Sequence, residues 1–195
     1  MKHTLLLLIV VVLANGGQKN TPHDGHWWLA ISMGEQKEYR WGYLDCYVDS
    51  LKLKSPSYIE DREAGQLITD SYRSGKARIN EIVPRVMKGT WAARAGKSAP
   101  YQPQGGEAWT EPHGFFDGLY WKGGSDAEKL AFVEGETDCF NLEAASRVRF
   151  PLPASDYAKW LDEAYGLVQG SSVPRSSEDA KIADVLLLKG ERASR

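Results

Sequence analysis

The sequence has no excess of positive charge. Its 24 basic residues stand against 26 acidic ones, a formal net charge of −2. That balance excludes a basic footprint for nucleic acid and a polybasic membrane patch. After the first fourteen residues, no apolar run approaches the roughly twenty residues of a bilayer span. The chain also lacks a serine-nucleophile elbow, a P-loop, a dinucleotide fingerprint, a haem-attachment CxxCH and an EF-hand loop. Its one Gly-rich stretch, Pro103 to Gly106, has no strand and helix pattern around it. No alternating strand pattern exceeds a few residues, which excludes a sheet-built domain. Cysteine is scarce too, at two in 195 residues.

What is present begins at the N-terminus. Lys2 precedes an unbroken apolar run from Leu5 to Ala14, and the polar stretch NGGQKNTP follows from Asn15. The run has the length of a signal-peptide core, and small Ala14 closes it. The reading is cleavage after Ala14 and export of a chain from residue 15 onward to the periplasm or the medium. Export places Cys46 and Cys139 in an oxidising compartment, where an even count reads as a disulfide.

Self-similarity organises the rest. Residues 24–47 lie over 117–140 at an offset of 93 without a gap, and eight of the 24 positions are identical. The identities include Asp24/Asp117, Gly25/Gly118, Trp28/Trp121, Gly42/Gly135, Asp45/Asp138 and Cys46/Cys139. Ser32-x-x-Glu35 and Ser125-x-x-Glu128 are both capping boxes, so each segment predicts a helix starting at its serine. Tyr39, Tyr43, Cys46 and Tyr47 then recur at helical spacing, as do Phe132, Cys139 and Phe140. Asp24-Gly25 and Asp117-Gly118 read as turns ahead of an aromatic pair.

Second helices are expected over Tyr58–Tyr72 and Asp156–Val168, with Ser155 as N-cap and Gly170 as stop of the latter. Third elements are expected over Ile79–Met87 and Glu178–Leu188, ending alike at Lys88-Gly89 and Lys189-Gly190. Beyond Tyr47 and Phe140 the two series align only with gaps. The expected organisation is therefore all-α: a signal peptide at 1–14, one helical repeat at 15–89, a linker rich in Gly, Pro, Ala and Ser at 90–116, and a second repeat at 117–195.

The matched cysteines predict one disulfide, Cys46–Cys139, between the first helices of the two units. Gly42 and Gly135 stand one turn before each cysteine on the same face. Helix axes ordinarily keep 8–10 Å, whereas disulfide Cα atoms want roughly 5.5–6 Å. A glycine removes the side chain that would hold the backbones apart.

No other constellation earns a chemical role. His23 and His26 offer two metal ligands where zinc needs three or four, and His113 does not align with either, so they read as solvated turn residues. Asp45 and Asp138, with Glu38 nearby, are the carboxylates a hydrolase would use. Each aspartate lies one residue off the cysteine face, which predicts exposed or half-exposed positions. Neither cysteine has a neighbouring histidine to activate it. Trp28, Trp121 and Trp160 read as core, Trp41 as exposed, and Trp91 and Trp109 as linker residues.

The run Tyr39-x-x-Gly42-Tyr43-x-Asp45 resembles the first-helix pattern of small exported all-helical bacterial proteins, including the Tai-type immunity proteins of type VI secretion. The resemblance covers about ten residues per unit. It implies a disulfide-bearing periplasmic protein that blocks a wall-degrading effector. This chain departs from that pattern in lacking further cysteines and in carrying a doubled unit. The expectation is a non-enzymatic envelope interaction protein, with a protein or envelope component as partner and no cofactor, metal or catalytic residue assigned. The alternative is a small envelope hydrolase using paired carboxylates.

Overall fold

A computed structural model describes residues 22–53, 61–94, 116–145 and 147–192. The expected signal peptide, most of the linker, Trp109 and His113 lie outside these residues. The described residues are mostly helical, as expected, and none of their helices is long and apolar enough to cross a membrane.

Each aspartate-glycine pair starts a helix. Asp24 Oδ1 accepts the backbone N–H groups of His26 and Trp27, which begins α1 (Gly25–Ala30). Asp117 Oδ1 does the same for Leu119 and Tyr120 at α5 (Gly118–Gly123). The Asp-Gly pattern predicts turns here. The same aspartate that favours a turn is a strong N-cap, and six helical residues are too few to show a period.

The two capping boxes are both formed. Ser32 starts α2 (Met33–Leu44) and Ser125 starts α6 (Asp126–Glu143). In each, the serine hydroxyl accepts from the glutamate N–H while the glutamate carboxylate takes the serine N–H. α6 runs unbroken past Cys139, but α2 widens after Leu44 into a π-helical turn, Asp45–Ser50, that carries Cys46.

α2 and α6 cross at the centre of the molecule. A Cβ placed on Gly42 would lie 2.0 Å from the Phe132 carbonyl oxygen, and one on Gly135 would lie 2.0 Å from that of Tyr39. The expected disulfide is present one turn further on, joining Cys46 and Cys139 with their Cα atoms 6.1 Å apart. The core spreads from this crossing through Trp28, Tyr43, Trp121, Phe140, Phe150 and Leu161.

The second and third helices pack around the pair. They are α3 (Asp61–Arg73) and α4 (Val83–Arg94), then α7 (Ala154–Ala164) and α8 (Ile182–Leu187). Several contacts recur at matched spacings. The Trp28 indole N–H donates to Thr69 and the Trp121 indole N–H to Asp162, both across 41 residues. Tyr72 packs on Gly25 and Tyr165 on Gly118. The Val83 N–H donates to the His23 carbonyl, and the Ile182 N–H to that of Phe116. The offset of 93 thus extends from the first helices as far as Tyr72 and Tyr165. It becomes 99 at Val83 and Ile182, so the length difference sits in the loop between second and third helices.

Other boundaries differ from expectation. α4 does not stop at Gly89 but continues to Arg94, and it buries Trp91, a linker residue by sequence pattern. Pro84 is tolerated because it falls in the first turn of α4, where its missing N–H is not needed. Among the described residues Gly89 has no neighbour within 4 Å of a Cβ, whereas Gly190 would meet Val148 and Phe150, so the two glycines are not equivalent. α7 starts one residue before Ser155 and ends before Gly166, whose φ of 75° suits glycine. A two-residue antiparallel ribbon, β1 (Val148–Arg149) with β2 (Glu191–Arg192), is too short to leave a period in the sequence.

Candidate functional site

The chain entering α1 brings His23 against α6. Its backbone N–H and its ring Nδ1 both approach Asp138 Oδ2, at 3.2 and 3.0 Å. Ring Nε2 lies 3.3 Å from Glu134 Oε1. Tyr39, on α2, donates its hydroxyl to the same Asp138 oxygen at 2.6 Å. The Trp27 ring covers the imidazole with centroids 4.1 Å apart. Burial by itself would lower the His23 pKa, but the two carboxylates override it and raise the value to about 9. Burial first, and then Asp138, push Tyr39 well above the ordinary tyrosine range.

The chemistry of this cluster follows from its protons. With a carboxylate at each ring nitrogen, both nitrogens carry hydrogen and the ring is a cation at neutral pH. Such a ring has no lone pair to accept a proton, so it does not act as a general base. This corrects the sequence expectation of a solvated turn residue at His23. Its partners, Glu134 and Asp138, stand more than a hundred residues away in sequence. A signal existed at the unmatched positions: at the offset of 93, His23 falls on Phe116 and Glu134 on Trp41.

On the other side of the crossing, the same places form an aromatic group. Phe116 packs on Tyr120 and Phe132 with centroids 5.0 and 5.1 Å away, and on Trp41 at 5.5 Å. Trp41 was expected to be exposed. It is half-buried, because these rings cover one face while the Lys37 ammonium sits 4.2 Å over the ring. Trp28 and Trp121 are core as expected, and Trp160 is half-buried at the core edge.

The carboxylates singled out for hydrolysis are placed otherwise than expected. Asp45 is 2% exposed and Asp138 is 5% exposed, not half-exposed. Each follows its cysteine into the crossing because α2 and α6 approach so closely there. Glu38 is 7% exposed; it accepts the Tyr120 hydroxyl on one oxygen and pairs with Lys37 at 3.4 Å on the other. Beside it, a cleft of about 370 Å³ lies over Trp121 and Phe132. Lys129, on its rim, pairs with Asp162 at 3.0 Å. Sequence reading also missed Glu143, which takes the Tyr43 hydroxyl at 2.6 Å and the Lys88 ammonium at 2.5 Å. Burial, then Glu143, pushes Tyr43 far above its ordinary pKa.

His26 is exposed and separate from the His23 cluster. Among the described residues, no three His, Cys, Asp or Glu side chains are grouped as metal ligands would be. No protein-family model, curated protein or solved structure matches the chain.

Proposed function

We propose that this chain is a non-enzymatic interaction protein, exported to the bacterial envelope, whose two helical units arose by duplication and which engages a protein or envelope component in an immunity-like manner. One observation carries the reading. His23, Glu134 and Asp138 are held by one another, His23 by both carboxylates, and Asp138 also takes the Tyr39 hydroxyl. A hydrolase needs a carboxylate that can reach solvent and substrate, and the burial of Asp45 and Asp138 weighs against that use. The contacts shared at the 93-residue offset support duplication. The apolar run ending at Ala14 supports export.

The test uses the exported chain. Material recovered from periplasm or medium should begin at about Asn15 by N-terminal sequencing. Captured from a native envelope extract, it should retain one component in fixed stoichiometry, identified by mass spectrometry. An intact Met1 on cytosolic protein would overturn export. Breakdown of an envelope polymer by the purified chain, lost in Asp138→Asn, would overturn the non-enzymatic assignment.

A further inference from the structure

Between α3 and α4 lies an open groove of about 610 Å³. Leu67, Ala77, Val86 and Ala93 give it an apolar floor, and Lys76, Arg85 and Glu81 stand around it. A third cation, Arg94, also borders it and pairs with Glu63. The groove is therefore locally basic in a chain whose net charge is negative. Arg85, Gly89 and Ala93 follow at four-residue spacing and present one face of α4 to it.

Gly89 is the unusual member. It sits inside a twelve-residue helix, where glycine costs stability relative to alanine. Among the described residues, nothing stands within 4 Å of where its Cβ would be. At the offset of 99 set by the Val83 and Ile182 bonds, Gly89 falls on Leu188 and Arg85 on Asp184. Leu188 is 78% exposed. The second half thus has an acid where the first half has a base, and its third helix ends at Leu187 where α4 continues through Gly89. The fold does not require a base at this place.

We infer that this groove docks an acidic segment of a partner protein. The inference rests on the interaction reading above and names the surface and the partner chemistry. Carboxylates of the segment meet Lys76 and Arg85, its apolar side chains lie over Leu67 and Ala93, and its backbone closes on α4 at Gly89. Opposite charge on the partner steers encounter and fixes register.

The probe is a labelled Glu-rich peptide with leucines at helical spacing, followed by fluorescence anisotropy against the full exported chain. A Lys-for-Glu counterpart serves as the comparison. Saturable binding of the acidic peptide is expected, weakened by salt. It should fall about tenfold or more in Arg85→Glu and in Gly89→Leu, the latter filling the groove without changing charge. Arg85 is exposed, so its variant retains the fold even if Gly89→Leu does not. No saturable binding to the native chain, equal binding by Arg85→Glu, preference for the basic peptide, or stronger binding to anionic lipid vesicles would each overturn the groove assignment. If the groove fails while the envelope component is still captured by Arg85→Glu, the interaction reading survives alone. If nothing is captured by the native chain either, both fall.

Discussion

Replacing Gly42 with alanine should destabilise the protein, although alanine is the better helix former. Carbon–oxygen contacts of this kind settle at about 3.3–3.6 Å. The new methyl would stand 2.0 Å from the Phe132 carbonyl oxygen and 2.9 Å from its carbon. These are backbone atoms in the middle of α6, so no side chain can swing away. α2 and α6 must part by more than about 1 Å. The disulfide, with Cα atoms at 6.1 Å, stands one turn away and resists that movement. Overpacking of this sort costs about 1–3 kcal/mol, offset by about 0.5–1 kcal/mol of helix preference. A net loss of about 1 kcal/mol is expected, and the same for Gly135→Ala. Urea unfolding followed by far-UV circular dichroism measures it. Gly89→Ala is the control: among the described residues it meets nothing within 4 Å, and it should stabilise by about 0.5–1 kcal/mol. The loss at Gly42 should shrink after reduction, when the helices are free to separate. A Gly42→Ala protein as stable as the native one would refute the close crossing.

Three further outcomes follow from the same contacts. The folded-state pKa of His23, about 9, lies above its ordinary value of 6.5, so its stabilisation is complete below about pH 6.5, fades as pH rises, and is gone above about pH 9. It amounts to roughly 3 kcal/mol at most, and the stability gap between native protein and His23→Ala should close over that window; a gap independent of pH would contradict the ion pairs. Ser32→Ala and Ser125→Ala should each lower stability by about 1 kcal/mol in thermal unfolding, through loss of the cap. Reducing Cys46–Cys139, which spans 93 residues, should lower unfolding free energy by about 4–5 kcal/mol in the chain-entropy view, and mass spectrometry of unreduced peptides should recover the linked pair.

The parts legible in the sequence are those decided within one turn of helix or by matched rare residues. Ser32 and Ser125 announce their helices because a capping box is local. Cys46, Cys139, Gly42 and Gly135 announce the crossing because they recur together. Other features are hidden by chemistry or distance. Thr69 and Asp162 do the same work, accepting a tryptophan N–H, yet look unrelated side by side. Gly89 reads as a helix stop, but α4 runs through it because Trp91 beyond it buries against Tyr43 and Tyr47. His23 reads as a turn residue because the acids that hold it arrive only when α6 docks.

The placement of the central helix pair also bears on how fast the chain reaches its native state. Helical proteins usually fold quickly because their contacts are between neighbours in sequence. Here α2 must find α6, and Tyr39 meets Asp138 across 99 residues. That search closes a long loop before the core gives anything back, so its entropy is met early in the reaction. During synthesis, Cys46 emerges well before Cys139 exists to receive it, and it waits as a lone thiol over that interval. The refolding rate of the oxidised chain should therefore exceed that of the reduced chain, since the covalent link has already brought the two helices together.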